Sequence, residues 1–489
     1  ALLSVARSRI VLYELLRNVI DMTKSGITKH SLLLLIAVAL AALMDGLDGS
    51  IVNIALPVIA AEFGADTGSV SWTVIVYLLM VAGTILIFGN IAGRGHVKKT
   101  LIIGFTIFTL ASAICGFSTS LAMLIIARLI QGLGAAMIIA CAPIICVKFM
   151  PSKILGLSFG VLTAATSVGF AVGPAIGGFL THYLSWHWIF FINIPIGIFA
   201  VLYCLRVIPK ETSGTPSRFD WIGAGLLFAA MASGVYVLER LPHFGFFHPQ
   251  IIGFGIFFAA TLIALCIYEI KTPTPLINIR VFTRFRVNAV IVSFFIIQIV
   301  YCGLLYLLPF YLTNTMRVDS LTSGFYLLIP PLVTAIVSVP ISRWSDKTGR
   351  RWFMTASCVF LVLISVVFAF IKPEWGVIPL LASLLMMGLS IGFVSGPGSG
   401  RIVEVMPDGE QELGSTLMMT CVYCGGVVGT ALYAAVFTLL TAEGGQILSF
   451  ADLPTGLFLS GFHLTMAAGI VISVISVLLS AVVPDRKSA

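Results

Sequence analysis

Three charged side chains lie inside stretches that are otherwise apolar, and they are the first candidates for chemistry. Asp45 and Asp48 are three residues apart, so in a helix they share one face. Arg128 lies in a second apolar stretch, and its guanidinium is always protonated. A carboxylate in the middle of a bilayer costs on the order of 2.5–3.5 kcal/mol, so each must be hydrated, paired or protonated. We predict that these three residues bind and release protons, with Asp48 as the favoured site.

A structural role is the alternative for the same residues. Either aspartate can bond to the backbone or to Asn53. Arg128 can be held by the carbonyl groups of a helix end as well as by Asp45 or Asp48.

The segments that must position these side chains are those of a membrane protein. The chain has 489 residues, of which 59% are hydrophobic and 10% charged, and its mean hydropathy is +1.09. Soluble domains carry about 25% charged residues, so a soluble fold is excluded. A helix needs about 20 apolar residues to cross the bilayer. The sequence predicts an all-α membrane protein with spans at 31–58, 71–92, 100–117, 120–147, 154–180, 187–208, 221–238, 250–270, 287–312, 321–342, 352–371, 376–398, 413–441 and 457–483.

The basic residues predict how the spans are oriented. Of the 28 Lys and Arg, 24 fall at the N-terminus, at the C-terminus or in alternate loops on the same side of the membrane. Because such loops are cytoplasmic, we expect both termini in the cytoplasm and the protein in the cell membrane. The net charge of +8 then reflects topology, and we expect no nucleic-acid partner.

The N-terminal residues 1–30 form a separate segment. They alternate basic and apolar residues, which predicts an amphipathic helix on the cytoplasmic leaflet, with a mobile basic tail as the alternative. The first span is too long for the apolar core of a cleavable signal peptide, so we expect it to be retained.

Spans 1–6 and 9–14 have the spacing of an internal repeat. The basic loops around Arg94 and Lys347 are offset by about 253 residues, and the first residues of spans 1 and 9 by about 256. We predict two six-helix bundles, residues 31–208 and 287–484, and a linker with two extra helices, residues 209–286. Two like halves around a cavity suit alternating access. The positions about 256 residues after Asp48 and Arg128 hold leucines, so the charges are confined to the first half.

Span 5 carries a glycine motif, GFAVGPAIGG. Small residues at this spacing let helices approach closely, and a proline within a helix bends it. The motif can seal or hinge one side of a cavity, or serve packing alone. Its residues are Gly169, Gly173, Pro174, Gly177 and Gly178. Shifted by about 256 residues, the first two glycines meet Gly425 and Gly429 in span 13.

Several further residues are candidates of lower specificity. Polar and aromatic side chains within spans are able to line a substrate cavity, although aromatic residues also anchor span ends: Asn53, Gln131, Tyr301, Tyr306, Phe310 and Tyr311. Glu239 and Glu269 lie at span ends, where we expect them at the membrane interface. Cys421 and Cys424 form a CxxC without nearby ligands, so we expect helix packing rather than metal binding. The sequence offers no P-loop, zinc pattern or Ser/His/Asp set, and we expect neither an enzyme nor a cofactor.

These motifs together resemble the major facilitator superfamily, and within it the fourteen-span drug/proton antiporters of the QacA/EmrB type. The span 1 sequence LDGSIVNIALP is similar to the family's motif, whose acidic residue falls on Asp48 and is implicated in proton coupling. Arg128 with Gln131 resembles the span 4 motif, and the glycine motif matches that of span 5. The sequence WHWIFFINIPIG, which begins at Trp186, is similar to the entry of span 6.

The loops that the family uses in conformational change differ between the halves. The first loop has Gly93 where the family normally has Asp, and His96 where a glycine is common, around Arg94. The second loop keeps the pattern, with Asp346, Lys347, Arg350 and Arg351. The charge network of the first loop is therefore in doubt.

The resemblance implies a monomer that exports lipophilic compounds in exchange for protons. Span 13 has no charge to pair with a dication, so we expect neutral or monovalent cationic substrates. The alternatives are a proton-coupled transporter of one metabolite or lipid, and a membrane scaffold or sensor that transports nothing.

Overall fold

A computed structural model of the chain describes residues 28–150, 155–209, 220–272, 282–407, 411–442 and 447–484. Within these residues all regular secondary structure is helical, and fourteen helices are long and apolar enough to cross a membrane, as predicted. Residues 1–27, the bulk of the predicted amphipathic segment, lie outside the described part.

The membrane helices are numbered in chain order. A single helical turn, Trp188–Phe191, precedes α6 and belongs to the same span. The fourteen helices are α1 (Lys29–Glu62), α2 (Thr67–Ile91), α3 (Val97–Gly116), α4 (Leu121–Phe149), α5 (Leu155–Tyr183), α6 (Asn193–Val207), α7 (Trp221–Phe244), α8 (Pro249–Lys271), α9 (Phe285–Asn314), α10 (Ser320–Thr348), α11 (Arg351–Phe370), α12 (Ile378–Val405), α13 (Gln411–Leu440) and α14 (Thr455–Val482).

The ends of the helices follow capping chemistry more than hydropathy. Asp66 and Asp319 accept hydrogen bonds from the backbone N–H groups three residues on, at 2.8 and 3.1 Å, and so begin α2 and α10. At the other end, α10 and α12 continue six and seven residues past the predicted spans, to Thr348 and Val405. Apolar length marks only the part of a helix in hydrocarbon, which explains the difference.

The two faces of the membrane are named here from α1. The near face is the side on which α1 begins, and the far face is the side on which it ends. Successive helices alternate in direction, so α5 and α7 end at the far face, where α10 begins. A kinked segment, Ala92–His96, joins α2 to α3 at the near face. Gly95 has a φ of 94° there, a conformation that suits glycine.

The helices form two six-helix bundles with the same internal pairing. In the first, α1 packs on α5, α2 on α4 and α3 on α4; in the second, α9 packs on α13, α10 on α12 and α11 on α12. The bundles meet through α5 with α10 and through α13 with α2. Adding eight to each helix number converts the first set of pairs into the second, which agrees with the predicted repeat.

The two inserted helices lie at the side of this assembly. α7 packs on α2 of the first bundle and α13 of the second, where the ring of Phe228 lies against Gly83. α8 packs on α7, and its outer surface is apolar, with Ile256 and Ile263 well exposed. α7 therefore covers one of the two seams between the bundles.

Candidate functional site

The helix that carries the two aspartates is held tightly by α5. Gly169 lies so close to α1 that a Cβ atom there would be 2.6 Å from the carbonyl oxygen of Leu43 and 2.7 Å from the nitrogen of Leu47. Gly46 of α1 is packed in the same way against the backbone of Thr166. Glycine is required at this crossing because any side chain would push the helices apart.

Asp48 and Arg128 form a buried ion pair in the first bundle. Nη1 of Arg128 is 2.7 Å from Oδ2 of Asp48, and the side chains are 2% and 0% exposed. Oδ1 of Asp48 accepts from the amides of Gln131, at 2.9 Å, and Asn193, at 3.2 Å. Both carboxylate oxygens are thus bonded, as a buried ion pair requires.

The guanidinium is held by a second set of contacts. Nε of Arg128 donates to the carbonyl oxygen of Thr73 at 3.0 Å, and Nη1 also donates to Oε1 of Gln131 at 2.7 Å. The guanidinium carbon lies 4.1 Å from the centre of the Tyr77 ring, a cation–π contact. Gln131 donates to Ser112 at 2.8 Å. The network therefore joins α1, α2, α3, α4 and α6, and a change in the charge of Asp48 acts on all five.

Asp45 lies one turn nearer the near face and is not part of this network. Its side chain is half-buried, and it has no hydrogen-bond partner among the described residues. A narrow gap beside it is lined by Met44, Phe108 and Ala135. Tyr423 of the second bundle lies within electrostatic range. Asp45 is thus a second carboxylate beside the ion pair, outside its hydrogen-bond network.

The proposed cavity residues have different positions. Gln131 is completely buried within the ion-pair network, and Asn53 is buried in α1. Tyr301 is half-buried. Phe310 is completely buried in an aromatic cluster at the far face, where the centre of its ring lies 5.1 Å from that of Phe450. In this conformation Gln131 and Phe310 pack within the protein and do not border an open cavity.

The prediction that Glu239 and Glu269 lie at the membrane interface is wrong. They are 1% and 3% exposed, because Glu239 of α7 packs against α2 at Ser71 and Glu269 of α8 packs against α7 at Gly223. A helix end in an apolar sequence looks interfacial when the neighbouring helix that covers it is unknown. The CxxC prediction of helix packing agrees with the contact of Cys424 Sγ with Met231 Sδ, at 3.5 Å.

Sequence reasoning missed two kinds of contact in the ion-pair network. Asn193 lies within an apolar run, so its polar side chain was a usable signal. Thr73 contributes its backbone carbonyl oxygen, which no residue type reveals.

Comparison with known proteins gives the family. Residues 38–430 match the Major Facilitator Superfamily. The chain belongs to the Major Facilitator Superfamily. The family and the fold are those of membrane transporters, and the chain is a multi-pass membrane protein.

Several relatives within the superfamily cover most of the chain. It is 30% identical to the riboflavin transporter RibZ of Clostridioides difficile, over 84% of this chain and 89% of the relative. It is 28% identical to the multidrug resistance protein B homolog of Mycobacterium tuberculosis H37Rv, over 82% and 75%. It is 27% identical to the methylenomycin A resistance protein of Bacillus subtilis, over 83% and 87%.

A solved structure supports the fold. The bacterial homolog to the human lysosomal transporter Spinster, in an inward-facing and unoccupied conformation, superimposes with a TM-score of 0.67. The match covers 94% of this chain and 98% of that structure, at 14% identity.

The glycine motif of this superfamily member contacts both bundles. A Cβ at Gly177 would lie 2.7 Å from Cγ2 of Ile54 in α1. Gly178 packs on the backbone of Ser320 and Gly324 in α10, and Gly324 packs on the carbonyl of Pro174. The motif therefore lies where α5 crosses α1 and, at the far face, α10.

The loop residues are described only in part. The side chains of Arg94, Asp346 and Lys347 lie outside the described part. Arg350 Nη1 is 3.6 Å from Oε2 of Glu404 and donates to the carbonyl of Gly400 at 3.2 Å, which ties α11 to α12. Arg351 donates to the carbonyl of Ala481 in α14.

Proposed function

We propose that the protein is a proton-coupled transporter that exports lipophilic, neutral or monovalent cationic compounds by alternating access. The near face is then cytoplasmic, as the distribution of basic residues predicts, and both termini lie in the cytoplasm of a monomeric protein in the cell membrane. The partners are protons and a small-molecule substrate.

The fully buried pair of Asp48 and Arg128 carries this proposal. Protonation of Asp48 removes the counter-charge of Arg128 inside the protein, and breaking such a pair costs about 3–5 kcal/mol. The network relaxes only if Arg128 finds another acceptor, and Asp45 lies one turn away on α1. Proton binding at Asp48 thereby shifts α1 relative to α4, and this movement couples the proton to the exposure of the cavity.

The closed far face supports alternating access. His182 at the end of α5 lies 3.2 Å from Asp319 before α10, and the N–H of Phe450 donates to the carbonyl of Ala65 at 3.1 Å. Each contact joins the first bundle to the second. With a cytoplasmic near face, this conformation is closed to the outside, and transport requires these contacts to break.

The apolar second bundle supports the substrate class. α13 has no charged residue from Leu413 to Leu440, so it offers no carboxylate to a dication. Relatives named for multidrug and methylenomycin A resistance agree with export of lipophilic compounds.

Transport of one metabolite is the second candidate. The relative named as a riboflavin transporter shares 30% identity over 84% of this chain, which makes a flat, neutral vitamin a specific alternative.

The test uses the full chain in liposomes containing a pH-sensitive dye. We expect a lipophilic monovalent cation such as ethidium to drive proton movement in the opposite direction, and Asp48→Asn to lower it at least about tenfold. Glu374→Gln, which changes an exposed carboxylate in the loop before α12, is the control and should leave the rate unchanged.

Riboflavin is assayed in parallel with a dication. Proton-linked transport of riboflavin alone would favour the second candidate. Full coupled transport by Asp48→Asn would remove Asp48 from the mechanism, and absence of proton movement with every compound would overturn the antiporter proposal.

A further inference from the structure

A buried carboxyl group lies in α7, one of the two inserted helices. It bonds to Ser71 of α2, two residues before Thr73, whose carbonyl oxygen accepts from Arg128. Glu239 is 1% exposed. Its Oε1 accepts a hydrogen bond from Ser71 of α2 at 2.9 Å, whereas Oε2 has no hydrogen-bond partner among the described residues. The described residues provide no cation within ion-pair distance of Glu239, and Arg240 beside it in sequence is half-exposed. A carboxylate anion in this position is poorly compensated.

The charged side chain that acts most strongly on Glu239 is another carboxylate, that of Asp66. Asp66 precedes α2 and accepts from the N–H of Ser69 at 2.8 Å and from its hydroxyl at 2.6 Å. His243, one turn after Glu239, has Nε2 3.8 Å from Oδ2 of Asp66. Burial raises the pKa of Asp66, but the hydrogen bonds with His243 and Ser69 outweigh it and hold that pKa below its usual range. Asp66 is therefore an anion, and its charge adds to the cost of a second anion at Glu239.

The second bundle closes over this group. The hydroxyl of Tyr306 in α9 donates to the carbonyl of Thr67, and the Thr67 hydroxyl lies 3.4 Å from that of Thr438 in α13. A Cβ at Gly68 would lie 3.0 Å from the Thr438 hydroxyl and 3.6 Å from Oε2 of Glu239. Glu239 therefore lies directly behind the contact between the bundles at the far face.

The titratable groups around Glu239 belong to several elements that pack around it. α2 and its cap supply Asp66, α9 supplies Tyr306, and α7 supplies Arg240 and His243. His248, before α8, is stacked on Phe244 at the surface. The described part of α13 after Thr420 has no charged residue to face it. Among the described residues the cations nearest Glu239 are Arg240, which is half-exposed and makes no ion pair with it, and His243 when protonated, which already faces Asp66.

We propose that Glu239 is a second proton-binding site, which takes up a proton from the far side and must hold it for the far face to close. When α9 and α13 separate from α2, water reaches Glu239 and its carboxylate is stable. When the bundles close, the anion would lose water while Oε2 has no partner, so closure favours the protonated form. This matters to transport only if the exchange is proton-coupled, as proposed above, and it gives the inserted helices a part in the cycle.

The test measures opening of the far face as a function of pH. Spin labels at Leu184 and Glu374, exposed in far-face loops of the two bundles, report the distance between them in the full chain in lipid nanodiscs, with half-exposed native cysteines replaced. We expect the closed population to fall as pH rises. Glu239→Gln, which mimics the protonated group, should keep the far face closed, with a closed-to-open ratio at pH 9 at least about tenfold above that of the unsubstituted chain.

Two control variants separate this site from the others. Glu269→Gln changes the other buried glutamate of the inserted pair, and should open with pH as the unsubstituted chain does. Asp48→Asn changes the group proposed to couple protonation to cavity exposure, so we expect its closed-to-open ratio to differ, but its far face should still open further as pH rises. If Asp48→Asn abolishes this dependence and Glu239→Gln keeps it, the inference fails while the proposed function stands.

An infrared titration gives a second, label-free measurement. Because Asp45 and Glu269 also supply shielded carboxyl groups, the spectrum of Glu239→Gln is subtracted from that of the unsubstituted chain, and the difference should contain the C=O stretch of one protonated carboxyl that is lost at alkaline pH. Equal carboxyl bands in the two proteins, or a far-face distance that does not depend on pH in the unsubstituted chain, would overturn the inference.

Discussion

The two six-helix bundles share their helix pairing but differ in what fills them. Between α1 and α4 the first bundle has a carboxylate, a guanidinium and two amides in one network. In the second bundle the positions about 256 residues after Asp48 and Arg128 are the buried leucines Leu304 and Leu384, and buried polar contacts elsewhere between its helices include pairs of serine hydroxyls. The hydroxyl of Ser293 lies 2.9 Å from that of Ser476, and Ser357 lies 3.0 Å from Ser390. The same helical frame is thus built with and without an ion pair at these matching positions.

The difference teaches that the buried charges are not required to form the bundle. Hydroxyl pairs satisfy their polar atoms locally and require no counter-charge. Among its described side chains the second bundle does contain one buried arginine, Arg401, which donates to the carbonyl oxygens of Arg351 and Ser480 at 3.2 and 3.1 Å. Arg401 holds helix ends together near the near face, whereas Arg128 holds a carboxylate inside the bundle. The contacts of Arg401 are structural, whereas the pair of Arg128 with Asp48 can respond to a proton.

The largest effect is expected when the buried arginine of the first bundle is removed, and the matched variant removes that of the second bundle. Arg128→Met leaves Asp48 buried without its partner, which costs about 3–5 kcal/mol, and we expect a large fall in the midpoint of thermal unfolding and loss of proton-coupled transport. Arg401→Met removes hydrogen bonds from a charged group, about 1.5–3 kcal/mol each. We expect it to lower the unfolding midpoint but to leave the proton-to-substrate ratio of the folded protein unchanged.

The double variant Asp48→Asn with Arg128→Met separates charge from packing. Because no unpaired charge remains, we expect it to be more stable than Arg128→Met alone and still inactive. A fully active double variant, or a changed proton-to-substrate ratio in Arg401→Met, would show that the distinction between the two arginines is wrong.

The second comparison concerns glycines that the two bundles use in the same way. Gly169 packs α5 on α1, and Gly429 packs α13 on the backbone of Ile299 in α9. An added methyl group overpacks either contact, typically by 1–3 kcal/mol. We therefore expect Gly169→Ala and Gly429→Ala to lower the unfolding midpoint by similar amounts. Transport should fall further in Gly169→Ala, because α1 carries Asp48.

The control for that experiment substitutes a glycine that has no close neighbours. Gly253 has open space around the position of a Cβ atom, so Gly253→Ala should not lower the unfolding midpoint. Equal loss of transport in the two packed glycine variants would indicate that α9 moves in the cycle as much as α1.

The membrane frame was predictable because lipid imposes one rule on every span. A stretch of about 20 apolar residues must be helical, so fourteen stretches gave fourteen helices. The repeat was visible because both bundles obey the same packing, and glycines such as Gly169 and Gly425 fall at matching helix contacts.

The candidate site was predictable only where a residue type is rare in its surroundings. Asp48 and Arg128 stood out against the apolar background, although their pairing was one alternative among several. The carbonyl of Thr73 had no signal in the sequence, because every residue has that group. Glu239 was misjudged because its burial depends on how α7 packs against α2 and α13, which lie distant in sequence.

The smallest effect is expected from the charge pair that joins the bundles at the far face. His182 and Asp319 are 39% and 43% exposed, and pairs in water contribute about 0–1 kcal/mol. A hydrogen bond from the Thr322 side chain lowers the pKa of Asp319. The hydrogen bond from the Thr322 N–H and the electrostatic interaction with His182 lower it further. A carboxyl group whose pKa is lowered by folding stabilises the protein above its unfolded pKa, about 3.9, and that stabilisation is lost as pH falls through the lower value in the folded protein.

Asp319→Asn keeps a residue that caps a helix well but removes the charge. We expect it to lower the unfolding midpoint only slightly at pH 7 and to shift far-face opening, measured with the same spin labels, by less than about fivefold. Asp319→Ala also removes the cap of α10, and should be the less stable of the two by about 0.5–2 kcal/mol. If Asp319→Asn instead opened the far face as strongly as ionisation of Glu239 is expected to, exposed charge between the bundles would control the transition, and the buried groups would not.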